Sequence, residues 1–298
     1  LKKYVIGLLV TLFLGVQLSA PPPSSAGQTN KIASSTAPLL EEAVETWKQL
    51  LAKKQGFESW QKASSIIEPL GPGTHGWVVI LTKDGQEVGY MIVHAVEDGS
   101  FRLTEYGTGS NPLYSMSTLY QSLIRLELLP DTYSLSDLMK DQSISIQRWY
   151  TDALHAVWKI KLNQTTLIMD AKTGEQLPIE EAELGTTLFA KLPASTTLTG
   201  KLDEKQISAF DPYETMPWVT GIPLQIQSLT DLKASMQKYN KLTYTAELYN
   251  SKASFAFAVL GYSKWGNDDA YLIVDQNGPK YLLLELAVQQ GHFFKTRT

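Results

Sequence analysis

The stretch that most constrains the fold is GWVVILTKDGQEVGYMIVHAVEDGSFRLTEYG, residues 76–107. It predicts three consecutive strands, at 77–81, 88–93 and 101–106. Asp84-Gly85 and Asp98-Gly99 mark the connecting turns, because glycine tolerates the positive φ that tight hairpins require. The middle strand, Val-Gly-Tyr-Met-Ile-Val, is mostly apolar, as expected of a strand covered on both faces. The third alternates, with Phe101, Leu103 and Glu105 opposite Arg102, Thr104 and Tyr106, which marks it as the outer one. No stretch is comparably explicit about chemistry.

The amino terminus reads as a targeting segment, residues 1–26. Lys2 and Lys3 precede an apolar run at 4–18, YVIGLLVTLFLGVQL, and Ser24-Ser25-Ala26 offers small residues for signal peptidase. The run is shorter than the roughly 20 residues that span a bilayer, so a cleaved signal is expected, with a retained anchor as the alternative. Export places the protein outside the cell or in its envelope. The chain has no Cys, which excludes disulfides, thiolate nucleophiles, Cys-ligated metals and lipid attachment at Cys. A Cys-free exported chain suits bacterial secretion. Losing residues 1–26 removes two lysines and no acid, taking the formal charge from −4 to −6. That balance argues against nucleic acid as a partner and against strong attraction to an anionic surface. The remaining length, with domains usually running ~100–200 residues, predicts two domains.

The stretch 21–38, PPPSSAGQTNKIASSTAP, is rich in Pro, Ser and Thr, and its part after the export segment, residues 27–38, reads as a linker. An amphipathic helix is predicted over 39–54, with Leu39, Leu40, Ala43, Trp47, Leu50 and Leu51 at helical spacing and acids near its start. A short helix at 57–67, the meander, a helix at 116–128 and strands at 144–150, 154–162 and 166–170 complete a first module over 39–185. The boundary is expected within 180–205. The second module, 205–298, opens with a proline-rich loop, FDPYETMPWVTGIP. A helix at 231–239 follows, then strands at 243–249, 254–262, 271–274 and 280–284. The fold class is α+β, with two modules, each a mainly antiparallel sheet packed with a few helices.

Three segments resemble known families. LHAVWKIKLNQTTLIMDAKTGEQL, residues 154–177, resembles the end of a PepSY domain, the propeptide-like module of secreted bacterial peptidases. Asp170, Thr173, Gly174, Glu175 and Leu177 carry that match. Gly89-Tyr90-Met91-Ile92-Val93 is similar to a strand of the inhibitory prodomains of streptopain-type cysteine peptidases. Residues 254–277, SFAFAVLGYSKWGNDDAYLIVDQN, resemble the second half of papain-like peptidases of the bacteriocin-processing type. There a His opens the strand that ends in Gly-Tyr, and an Asp follows the next strand. Gly261-Tyr262 and Asp275 are in place, but Ser254 occupies the His position. The resemblance implies an export signal, a prodomain-like module and a degenerate peptidase-like module.

Direct chemical signals are sparse. His75, His94, His155 and His292 show no ligand pair at short spacing, so no metal site is predicted. No G-x-S-x-G elbow and no phosphate-binding loop occur. Asp268-Asp269 with Glu247 is the one conceivable carboxylate pair for glycoside hydrolysis, although two adjacent aspartates also make a polar turn. Trp149, Tyr150 and Trp158 read as core aromatics. Pro212, Tyr213, Pro217 and Trp218 form a stiff aromatic loop, either a gripping surface, since rigid groups lose little entropy on binding, or packing over the second core.

The expectation is an exported, non-catalytic protein that binds protein or peptide at the bacterial cell envelope and modulates a peptidase. Its candidate binding residues are Tyr213, Pro217, Trp218, Ser254 and Asp275, and it uses neither cofactor nor metal. The membrane is involved only through an uncleaved amino terminus. The alternatives are a secreted hydrolase using carboxylates and a structural envelope protein.

Overall fold

The computed structural model describes residues 26–185, 198, 200–267 and 269–296, with the backbone alone for 26–38. The predicted export segment, apart from Ala26, lies outside the described residues, as do Asp268 and much of the expected inter-module boundary. Among the described residues no helix is long and apolar enough to cross a membrane.

The predicted α+β class is what the chain adopts. The meander forms four antiparallel strands, β1 (Ser64–Pro69), β2 (Gly76–Lys83), β3 (Gln86–Ala95) and β4 (Phe101–Thr108). Asp84 and Gly85 both take positive φ, 52° and 77°, and Lys83 faces Gln86 across the turn. This is the geometry an Asp-Gly hairpin favours. β1 corrects the helix expected at 57–67. Only Glu58–Lys62 is helical there, as a 3-10 turn, and Ser-Ser-Ile-Ile-Glu-Pro is extended. Helix α1 (Ala26–Leu51) precedes it and takes in residues 27–38, which had been read as a linker.

Between the meander and the carboxy-terminal half lie α2 (Met116–Arg125), α3 (Leu135–Lys140) and a three-stranded sheet, β5 (Ser145–Tyr150), β6 (Ala156–Leu162) and β7 (Thr165–Asp170). Beyond it run β8 (Leu202–Gln206), α4 (Leu229–Tyr239), β9 (Leu242–Leu248), β10 (Ala253–Trp265), β11 (Ala270–Asp275), β12 (Pro279–Leu283), α5 (Leu284–Gln290) and β13 (Gly291–Lys295). Ser228 caps α4 by accepting a bond from the Asp231 amide, 3.2 Å, so the helix starts two residues before the predicted Asp231.

The two halves share one ten-stranded sheet, ordered β1-β2-β3-β4-β12-β11-β10-β9-β13, with β8 paired to β10. Glu42–Thr298 is one compact unit. The join is β4 against β12, where Tyr106 faces Tyr281 and Glu105 faces Leu282. β4 is therefore an interior strand and not the outer one. Its alternating polar residues are buried rather than wet, and each has a partner. Arg102 makes two bonds to the Asp269 carboxylate, 2.8 and 2.9 Å. Thr104 Oγ1 lies 2.9 Å from His94 Nδ1. Glu105 accepts from Tyr90 and Tyr150 and pairs with Lys280 at 3.2 Å.

The three-stranded sheet serves both halves. Trp158, Ile160 and Met169 pack with Ile80, Ile92 and α2 residues Leu119 and Leu123. Val157 and Ile168, on the opposite face by strand alternation, pack with Leu232, Tyr244, Val259 and Leu272. One small sheet thus fills two cores.

Candidate functional site

The turn after β7 is built by Asp170. Its Oδ1 accepts from the Lys172 and Thr173 amides, 2.9 and 2.7 Å, and from Thr173 Oγ1, 3.0 Å. Gly174 follows at φ +70°, and a Cβ there would lie 2.3 Å from Ser122 Oγ, so only glycine fits against α2. The turn after β11 is built the same way, with Asp275 Oδ1 accepting from the Gly278 amide at 3.0 Å. Asp211 caps the 3-10 turn Pro212–Glu214 by accepting from the Tyr213 amide, 2.8 Å. Three short acidic caps thus fix three loops.

These loops meet around an open cleft of about 610 Å³. Ala256 and Ala258 of β10 line it. Thr173 and Glu175 enter from the β7 turn, Phe210 and Tyr213 from the proline-rich loop, and Asp275 and Gln276 from the end of β11. Its charged lining is acidic, from Glu175, Asp211 and Asp275. Tyr213, 52% exposed, meets Trp218 edge to face at 5.2 Å between ring centres. Met216, Val219 and Ile222 continue an exposed apolar rim on the same loop. Pro217 is buried, and its carbonyl accepts from the Gly221 amide at 2.9 Å, closing the loop on itself.

Of the five residues singled out in the sequence, Tyr213 and Asp275 line the cleft directly. Trp218 braces Tyr213, and Pro217 shapes the loop. Ser254 is exposed on β10 and shares a face with Ala256 and Ala258. Asp275 also holds its own turn. Asp211 and Ala256 were not singled out, and Glu175 was named only as part of the PepSY-like turn; no local sequence signal brings the three to one cleft.

Beneath the β7 turn lies a buried charge cluster. Lys280 Nζ donates to the Ala153 carbonyl at 2.7 Å and to Gln276 Oε1 at 3.1 Å, besides its pairing with Glu105. Lys172 bonds the Asn111 carbonyl, and burial together with Lys280 pushes its pKa down to about 8. Burial and then the Glu105 carboxylate hold the Tyr90 and Tyr150 hydroxyls well above the usual phenol range.

A second arrangement escaped the sequence reading. Asp152, fully buried, holds His155 Nδ1 at 3.0 Å and also accepts from Gln290 Nε2 at 2.8 Å. Burial works to raise the Asp152 pKa, but the bonds from His155, Gln290 and the Leu154 amide outweigh it and hold it low. His155 sits before β6 and not within it, because Asp152 also caps the loop through the Leu154 and His155 amides. Of the conceivable hydrolytic carboxylates, Asp269 is engaged by Arg102, and Glu247 accepts from Ser251 at 3.0 Å. Among the described residues no three His, Asp or Glu side chains converge as metal ligands.

Comparison with protein-family models and with curated proteins gives no match for this chain.

Proposed function

We propose that the chain is an exported, non-catalytic protein that holds a protein or peptide in this cleft at the bacterial cell envelope. One observation carries the proposal. The PepSY-like turn, the aromatic proline-rich loop and the papain-like strand were flagged independently, and they line a single cleft. The cleft is walled by loops whose caps are already satisfied, so little ordering cost attends binding. In the papain-like reading Ser254 replaces the base and no thiol exists, so the nucleophile and its activator are both missing. Asp275 then has a hairpin to hold and no imidazole to orient. A prodomain-like half fused to such a module fits a modulator of a peptidase.

The test is site-specific photo-crosslinking in envelope preparations. A crosslinker at Tyr213 is expected to trap a discrete partner. One at Met139, 68% exposed on α3, is expected to trap none. Equal labelling from both positions would refute the proposal.

The Asp152–His155 pair favours a second reading, an unrecognised hydrolase, since a carboxylate-oriented imidazole is the usual general base. Hydrolysis of casein or polysaccharide by the purified protein, abolished by His155→Ala, would establish it in place of the first.

A further inference from the structure

β10 is longer than the strand beside it. Residues Ala253 to Val259 pair with β9 on one side, and β8 continues that side from Gly261. On the other side β11 pairs only from Val259 onward, because it ends at Asp275 and turns away. The β11-side edge of β10 before Val259 thus has no strand against it among the described residues.

The direction of its backbone groups follows from alternation. The Leu224 amide donates to the Phe293 carbonyl at 2.7 Å, so Phe293 turns its groups away from β9. In an antiparallel ladder its opposite residue, Tyr244, then turns its own groups toward β10. Tyr244 faces Phe257, so Phe257 and Phe255 bond to β9, while Ser254 and Ala256 turn their N–H and C=O to the open edge. Ser254 is exposed, Ala256 is half-buried, and Ala256 lines the cleft beside Asp275 and Gln276. Unpaired strand groups at an accessible edge are a template for a further strand.

We infer that the cleft takes its partner by strand addition, an extended cationic peptide segment pairing with the edge of β10 at Ser254 and Ala256. This rests on the peptide-binding reading above and specifies its mode. The open edge is long enough for about five residues at ~3.4 Å each. Main-chain pairing supplies affinity without sequence selection. Selection comes from the lining: Glu175, Asp211 and Asp275 favour Lys or Arg, and small Ala256 and Ala258 leave room for side chains between the Tyr213 wall and the β7 turn. A cationic segment also complements the chain's formal charge of −4.

The probe is a capped octapeptide of alternating Lys and Val, followed by calorimetry and by amide hydrogen exchange. It is expected to bind and to slow exchange at Ser254 and Ala256, with Phe255 and Phe257 already protected by β9. A Glu-Val octapeptide, and a Lys-Val octapeptide N-methylated at alternate residues, are each expected to bind at least tenfold more weakly. Ala256→Pro removes an N–H that β9 does not use, so it is expected to keep the melting temperature and lose at least tenfold in affinity. Equal affinity for the N-methylated peptide would overturn strand addition while leaving cleft binding in place. Failure of the Lys-Val peptide to bind would overturn the inference, whatever crosslinking at Tyr213 shows. A concentration-dependent dimer abolished by Ala256→Pro would assign the edge to a second copy of the chain and overturn it too.

Discussion

Lys280→Met is expected to be among the most damaging single substitutions outside the aromatic core. Lys280 is 4% exposed and Glu105 is wholly buried, and their charged atoms lie 3.2 Å apart. At an effective dielectric of 20 that separation is worth about 5 kcal/mol of attraction before desolvation. Without Lys280 the Glu105 carboxylate keeps, among the described residues, the hydroxyls of Tyr90 and Tyr150, at 2.6 and 2.8 Å, as bonded donors. Removing one member of a buried pair typically costs about 3–5 kcal/mol. A domain's whole stability is about 5–15 kcal/mol, so the loss is a third of it or more. Glu105→Gln should cost a similar amount, because the buried ammonium loses this counter-charge and keeps neutral acceptors at Ala153 and Gln276. The double variant removes both charges and should cost at least about 2 kcal/mol less than the sum, since coupled neighbours are not additive. Urea unfolding of the four proteins measures the cycle. Amide exchange should show β4 and β12 loosening first, because this pair sits on the join between them. Single costs below about 1 kcal/mol, or additivity within about 0.5 kcal/mol, would refute the claim that this pair holds the two halves together.

Lys172 gives a pH signature. Its pKa falls to about 8 from 10.5 through burial and Lys280, so it costs stability fully below pH 8 and less as the pH rises from 8 toward 10.5. Urea unfolding at pH 8, 9 and 10 should show the wild type gaining on Lys172→Met by about 2 kcal/mol in all, at a slope of at most about 1.4 kcal/mol per pH unit, and a constant difference would contradict this. His94 acts in acid. Burial, aided by Arg102, lowers its pKa to about 3 from 6.5, so the unfolded chain takes the proton first and stability drains away as the pH drops from 6.5 toward 3. His94→Gln should flatten that slope, about 1.4 kcal/mol per unit, in acid-unfolding curves. Gly174→Val should cost more than Thr173→Val: positive φ alone opposes a β-branched residue by about 1–2 kcal/mol, and the new Cβ would also strike Ser122. Thr173→Val loses hydroxyl bonds worth about 1 kcal/mol each, and equal melting temperatures would count against the turn.

Local elements were legible because their signals are local. Asp84-Gly85 demanded its hairpin, and the apolar spacing of α1 and α2 demanded helices. Ser64 to Pro69 misled because a short apolar run with polar flanks has no period long enough to separate strand from helix. β4 misled for a different reason. Arg102, Thr104 and Glu105 are the polar residues of what reads as an edge strand, and what makes Arg102 and Glu105 interior is a set of partners far along the chain: Asp269, Tyr150 and Lys280. No window of sequence contains both sides of those pairings, so two modules were expected where one sheet runs through.

The site shows the same division. Each wall of the cleft was visible as a capped turn or a stiff aromatic loop, but their meeting was not. Yet one clue to the open edge was present in the strand lengths. A long apolar run at 254–262 was followed by a short one at 271–274, and a hairpin of unequal arms leaves part of the longer arm without a partner on that side. β9 covers the other side, so the unmatched part of β10 stays within a sheet and is still available to another strand. Natural sheets usually blunt such an edge with Lys, Pro or a bulge. Here the bulge, between Val259 and Gly261, lies within the β11-paired part, and the unmatched part carries Ser254 and Ala256, residues small enough to let another backbone approach. An edge left undefended inside an acidic cleft is the arrangement expected of a surface meant to be occupied by a cationic strand.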